Sequence, residues 1–145
     1  DNLEVKFYDT VNDELLKFAV IISQSKGKWV FCKHKERETY EMPGGHREPG
    51  ESILETAKRE LQEETGAVDF RIEPICVYSV KGKTRVNENI DDETFGMLFI
   101  ADINSFEELH SEIEKILISD KLVENWTYPL IQPILIEEAK KRGFI

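Results

Sequence analysis

The chain is poor in the residues that usually tie a protein together from outside its core: two cysteines, three histidines and five prolines in 145 residues. Cys32 and Cys76 both lie in apolar, strand-like runs, so core thiols in a reducing compartment are the expected reading. His34, His46 and His110 are scattered among charged residues, and nothing in their spacing makes a zinc site. No apolar run approaches the roughly 18 residues needed to span a bilayer. No basic, then apolar, then small-residue leader opens the sequence, so cytoplasmic residence is expected. Positive charge is scarce as well: 19 Lys and Arg against 29 Asp and Glu leave a net charge of −10. That balance argues against nucleic-acid polymers and anionic membranes as partners. It still allows a small polyanionic substrate, provided metal ions and a few local cations offset the field.

What is present suits one α/β domain spanning residues 1–145 with a core of its own. Alternating apolar positions in residues 1–14 read as an edge strand or an ordered arm. Residues 17–23 form a buried-strand run, Ser25-Lys26-Gly27-Lys28 is a turn, and residues 29–32 pair back as a hairpin. Tyr40-Glu41-Met42-Pro43-Gly44-Gly45 is a short strand entering a loop that the proline and glycines keep from being helical. Further strands are expected over residues 70–80, 94–103 and 112–119, with a polar loop over residues 81–93. Residues 129–141 carry apolar residues at helical spacing, closed by Lys140, Lys141 and Arg142 with Gly143 beyond.

The stretch Gly45 to Ala67 organises the rest. Ser52 with Glu55 makes a capping box, and Gly66 tolerates the left-handed stop, so a helix is predicted over residues 53–65. At about 100° per residue, Ile53, Leu54, Ala57 and Leu61 form one apolar arc, while Glu60, Glu63 and Glu64 share another. Glu64 falls inside the edge of the apolar arc. Three carboxylates at this spacing repel one another, and a half-buried set is costly unless cations neutralise it. Oxygen-only ligands of this kind suit Mg²⁺ or Mn²⁺, although most glutamate runs are simply solvated helix faces.

Gly45, Glu51, Arg59, Glu60, Leu61, Glu63, Glu64, Gly66 and Ala67 together fill every defining position of the signature of the Nudix hydrolases, which this stretch resembles. The lead-in from Tyr40 to Gly45 extends the resemblance upstream. It implies the Nudix fold, an α/β/α sandwich with a mixed sheet. It also implies divalent-metal-dependent hydrolysis of a nucleoside diphosphate linkage. Glu60, Glu63, Glu64 and the Gly44 carbonyl would hold the metal, and Arg59 would orient a catalytic glutamate. Which carboxylate takes the proton from water stays open. Glu112 and Glu114 match in position the additional glutamate of MutT-like members, against the alternative of solvated strand ends.

Lys33 and Arg37, from the basic cluster Lys33 to Arg37, are candidates for phosphate contact, and a solvated hairpin end is the competing reading. Thr127 stands where MutT-like members carry a base-reading asparagine, with Asn125 two residues early. Trp126 and Tyr128 fit base stacking less well than core packing. The MutT-like reading makes the substrate a (deoxy)nucleoside triphosphate, with 8-oxo-dGTP a candidate, cleaved to monophosphate and pyrophosphate. A dinucleoside polyphosphate or nucleotide sugar is the enzymatic alternative, and a non-catalytic nucleotide-binding domain is a remoter one. A homodimer is compatible with this reading.

Overall fold

The computed structural model describes residues 3–82, 92–109 and 113–145. Strands β1 (Glu4–Tyr8), β2 (Leu16–Ser25), β3 (Lys28–His34) and β4 (Gly44–His46) precede helix α1 (Ile53–Thr65). Strands β5 (Ala67–Lys81), β6 (Glu93–Phe106) and β7 (Ile113–Ser119) follow, and helix α2 (Gln132–Lys141) comes last. The seven strands form one sheet in the order β1-β5-β6-β2-β3-β7, with β4 paired to β2. Only β2 and β6 run parallel among these pairs, so the sheet is mixed.

Each element has a local cause. The hairpin between β2 and β3 turns on two residues with positive φ, Lys26 at 52° and Gly27 at 79°, with Ser25 opposite Lys28. Two consecutive left-handed residues give the turn whose twist matches the flanking strands. Pro74 sits in the middle of β5, where it cannot donate to a ladder. β1 pairs with β5 only from Val77 to Lys81, so Pro74 lies where that edge is open. Helix α1 has the expected caps: the Ser52 side chain accepts from the Glu55 N–H, Glu55 reaches back to the Ser52 N–H, and Gly66 closes the helix at φ 77°.

Two apolar layers flank the sheet. Ile53, Ala57 and Leu61 of α1 pack with Ala19, Ile21, Val77 and Phe99. On the other layer Leu135, Ile136 and Ala139 of α2 pack with Ile22, Phe31, Tyr78 and Leu98. A fully buried aliphatic side chain of this kind contributes about 1.5–3 kcal/mol, so both helices are held by their apolar faces. Both cysteines are free and buried, as their settings suggested.

Some boundaries depart from expectation. Leu54 is 39% exposed, whereas Thr56, Glu64 and Thr65 are buried. The buried face of α1 is therefore centred nearer Glu64 than the apolar arc suggests. Gly44 to His46, expected as a loop, form a strand against Phe18 to Val20. Small residues let the chain come this close: a Cβ on Gly44 would strike the Ala19 carbonyl at 2.5 Å. Helix α2 begins at Gln132, with Pro133 in its first turn, instead of at Pro129. Residues 83–91 of the expected polar loop lie outside the described residues, and Lys81 and Glu93 at its ends are strand. No helix among the described residues is long and apolar enough to cross a membrane.

Candidate active site

The register of β4 against β2 lays Gly44 and Gly45 alongside α1. The Gly44 N–H donates to Glu64 Oε1 at 2.8 Å. A Cβ on Gly45 would collide with the Glu60 carboxylate, so a side chain there would fill the space that carboxylate occupies. The glycine pair thus brings backbone, not side chains, up to two acidic groups of the helix.

Arg59 is the hub of the exposed side of this cluster. Its Nε donates to Glu51 Oε2 at 2.6 Å and its Nη2 to Glu51 Oε1 at 3.0 Å, a two-pronged grip on one carboxylate. The same guanidinium reaches Glu60 Oε2 at 3.1 Å, Glu63 Oε2 at 3.5 Å and the His46 carbonyl at 3.0 Å. Glu51 also accepts from the Glu48 N–H at 3.0 Å and the Thr56 hydroxyl at 2.9 Å. These donors, Arg59 first, hold its carboxyl down at about 2.

Glu60 behaves oppositely. Burial and the neighbouring Glu64 charge push its carboxyl up to about 7, although Arg59 pulls the other way. One arginine cannot neutralise Glu51, Glu60 and Glu63 together. Glu63 is the exposed member of the set, its side chain 52% accessible, while Glu60 and Glu64 are largely covered.

Glu64 faces inward, toward a cavity of about 460 Å³. Gly44, Gly45, His46 and Glu64 line one side of it, and Phe18, Val20, Met42 and Tyr78 give it an apolar floor. Arg37, Glu41, Thr127, Tyr128 and Gln132 supply polar groups. Arg37 Nη1 donates to Glu41 Oε1 at 2.8 Å, and its guanidinium carbon lies 6.0 Å from the Tyr128 ring centre. Thr127 shares a hydrogen bond of 2.7 Å with the Thr39 hydroxyl. The Met42 N–H donates to Gln132 Oε1 at 2.7 Å, joining the lead-in to α2. His34 Nε2 stands 3.3 Å from Glu64 Oε2 and 3.6 Å from Glu41 Oε2. Hydrogen bonding to Glu64 raises the imidazole from its ordinary value against the opposing effect of burial. Burial instead raises the Glu41 carboxyl.

The structure therefore brings together Gly44, Arg59, Glu60, Glu63 and Glu64, and places Arg37 and Thr127 on the cavity beside them. Lys33 does not line the cavity; it is buried in β3, opposite Lys115 of β7. Asn125 is engaged elsewhere, its Nδ2 donating to the Glu38 carbonyl at 2.9 Å. Trp126 packs edge-on against Phe31 in the core. Glu112 lies outside the described residues, as does the side chain of Glu114. The sequence singles out none of His34, Glu41 and Gln132 individually, although His34 lies within the basic cluster Lys33 to Arg37 and Glu41 within the Tyr-Glu-Met-Pro-Gly-Gly run.

The donors suit a hard divalent cation in chemistry, since every candidate ligand is an oxygen and the set carries surplus negative charge. Among the described residues no three of them converge into a finished cage. Glu60 faces Arg59 instead, and both Glu64 oxygens have protein partners.

A mixed sheet between two helices, with an acidic helix that lines a cavity beside a pair of glycines, is the architecture of the Nudix fold. The model of the NUDIX domain matches residues 14–132, and the chain belongs to that family. It is a Nudix hydrolase, one of a family that acts on small nucleotide substrates and generally uses divalent metals. A Bacillus subtilis (strain 168) protein named "Putative 8-oxo-dGTP diphosphatase YtkD" is 28% identical over 156 residues, covering 100% of this chain and 94% of its own. The crystal structure of a mutant of the Bacillus subtilis pyrophosphohydrolase BsRppH superposes with a TM-score of 0.78 at 27% identity, covering 99% of this chain and 92% of that one. A Caenorhabditis elegans Ap4A hydrolase in a binary complex shares the fold, with a TM-score of 0.64 at 16% identity over 89% of this chain and all of that one.

Proposed function

We propose that the protein hydrolyses a (deoxy)nucleoside triphosphate to the monophosphate and pyrophosphate, with an oxidised purine nucleotide such as 8-oxo-dGTP among its candidate substrates. The observation that carries this reading is the shared lining: Gly44, Gly45 and Glu64 line the same cavity as Phe18, Met42 and Tyr78, so a base held against the apolar residues leaves its phosphates beside the acidic helix. The name of the Bacillus subtilis relative supports the choice of base.

In this reading Glu60, Glu63, Glu64 and the Gly44 carbonyl would hold Mg²⁺ or Mn²⁺, which when bound would supply positive charge to the transferred phosphoryl and leaving group. Arg59 clamps Glu51 and steadies Glu60, fixing the acidic face before substrate arrives. Arg37, over the Tyr128 ring, places a cation at the cavity wall, and Thr127 adds a hydroxyl there. One carboxylate of the helix accepts the proton of the attacking water.

Product analysis with Mg²⁺ tests this on normal and oxidised nucleoside triphosphates, dinucleoside polyphosphates and nucleotide sugars, run beside Glu63→Gln. Monophosphate and pyrophosphate from triphosphates, lost in the variant, are expected. Turnover confined to another class of substrate would contradict the triphosphate assignment.

A further inference from the structure

We propose that His34 is a positioning residue: it orients the Glu64 carboxylate and ties it, through Glu41, to the wall of the nucleotide cavity. The inference rests on the reading of Glu64 as a metal ligand given above, and concerns what holds that ligand.

Glu64 is only 8% exposed, so its direction is set by protein groups and not by bulk water. Two groups reach it from opposite elements. The Gly44 N–H takes Oε1 at 2.8 Å, and the His34 imidazole, from the end of β3, takes Oε2 through Nε2 at 3.3 Å. His34 falls where the pairing of β3 with β7 slips by one residue, between Lys33 opposite Lys115 and His34 opposite Ile113. Such irregularities re-aim side chains beside functional sites.

Beyond His34 the contacts continue into the cavity. His34 Nε2 is 3.6 Å from Glu41 Oε2, Glu41 Oε1 accepts from Arg37 at 2.8 Å, and Arg37 stands over Tyr128. Arg37, Glu41, His34 and Glu64 all line the same cavity. A ligand seated there therefore meets the same chain of groups that fixes the carboxylate. The competing reading is an ordinary buried ion pair that serves stability alone. The two differ in what happens to cation binding when the donor is moved but the polarity kept.

Gln at position 34 can set its amide nitrogen near the place of Nε2; Asn is too short to reach Glu64, and Leu has no donor. The test measures Mn²⁺ binding to the substrate-free protein by the loss of the free-ion electron paramagnetic resonance signal. It compares wild type with His34→Gln, His34→Asn, His34→Leu and Glu64→Gln, with thermal melts to establish folding. Removing a partner that orients a ligand typically costs about 10- to 100-fold in metal affinity or activity. That loss is expected for His34→Asn and His34→Leu, with kcat falling more than KM rises, while His34→Gln stays near wild type. Wild-type Mn²⁺ binding in the Asn and Leu variants, with binding lost in Glu64→Gln, would overturn the inference and leave the role of Glu64 standing. Wild-type binding in Glu64→Gln would remove the reading on which it rests. Equal loss in the Gln and Asn variants, or failure of both His34→Asn and His34→Leu to fold, would assign His34 to stability and overturn the proposal.

Discussion

Glu51 and Glu60 make an instructive pair, because both carboxylates are served by one arginine and end up at opposite extremes. Glu51 takes two prongs of the Arg59 fork together with a backbone N–H and a hydroxyl, and its carboxyl sits at about 2. Glu60 takes a single contact from the same guanidinium, is covered by the fold, faces Glu64, and rises to about 7. Proximity to a cation therefore does not decide the state of an acid here; the number of donors and the loss of water do. The fully satisfied carboxylate is built to hold the loop and helix together. The under-neutralised one is left with charge that a further cation can offset.

The setting of Glu60 depends most strongly on Gly45. Gly45→Ala puts a methyl where the Glu60 carboxylate lies, and a displacement on the order of 1 Å in a reacting site can cost about 100-fold in rate. A fall in kcat of that order is expected while the melting temperature changes little. Unchanged kinetics would show that Glu60 can move away without consequence.

A smaller effect, on stability alone, sharpens the other side. The Glu51 carboxyl is lowered from an ordinary value of 4.5 to about 2, so its contribution is complete above about pH 4.5 and is lost as pH falls toward 2. Glu51→Gln should therefore melt below wild type at pH 6, and the gap should close on acidification through that window. A gap that stays constant from pH 6 to pH 2 would mean that the Arg59 grip does not distinguish the charged carboxylate.

The acidic helix was readable because its determinants are local. Ser52, Glu55 and Gly66 fix the two ends of α1 within one stretch, and the spacing of Arg59, Glu60, Glu63 and Glu64 fixes their faces whatever packs on them. The cavity was not, because it is made by topology. Glu41 from the lead-in, His34 from β3 and Gln132 from α2 meet only once β4 and β3 share the same edge of β2. The basic run Lys33 to Arg37 shows the limit clearly. Read as one cluster it offers several cations to a phosphate, but successive strand residues face opposite sides. Lys33 is turned into the fold while His34 reaches Glu64, and Arg37, beyond the strand, reaches Glu41. The Leu54 exposure has a similar origin: helical periodicity gives a face, and only the neighbouring sheet decides how much of it is covered.

Thermal melting of wild type and Glu60→Gln at pH 8 shows whether the acidic face of α1 is short of positive charge that a divalent cation provides. Because the Glu60 carboxyl is raised, the folded state holds its proton more tightly than the unfolded chain, and stability declines as pH rises from about 4.5 to about 7. With a chelator at pH 8 the Gln variant should therefore melt above wild type, and near pH 4 the two should coincide. Adding Mn²⁺ should raise the wild type past the variant. A wild type that melts at or above Glu60→Gln in chelator, and does not respond to Mn²⁺, would mean that this face of α1 lacks no positive charge.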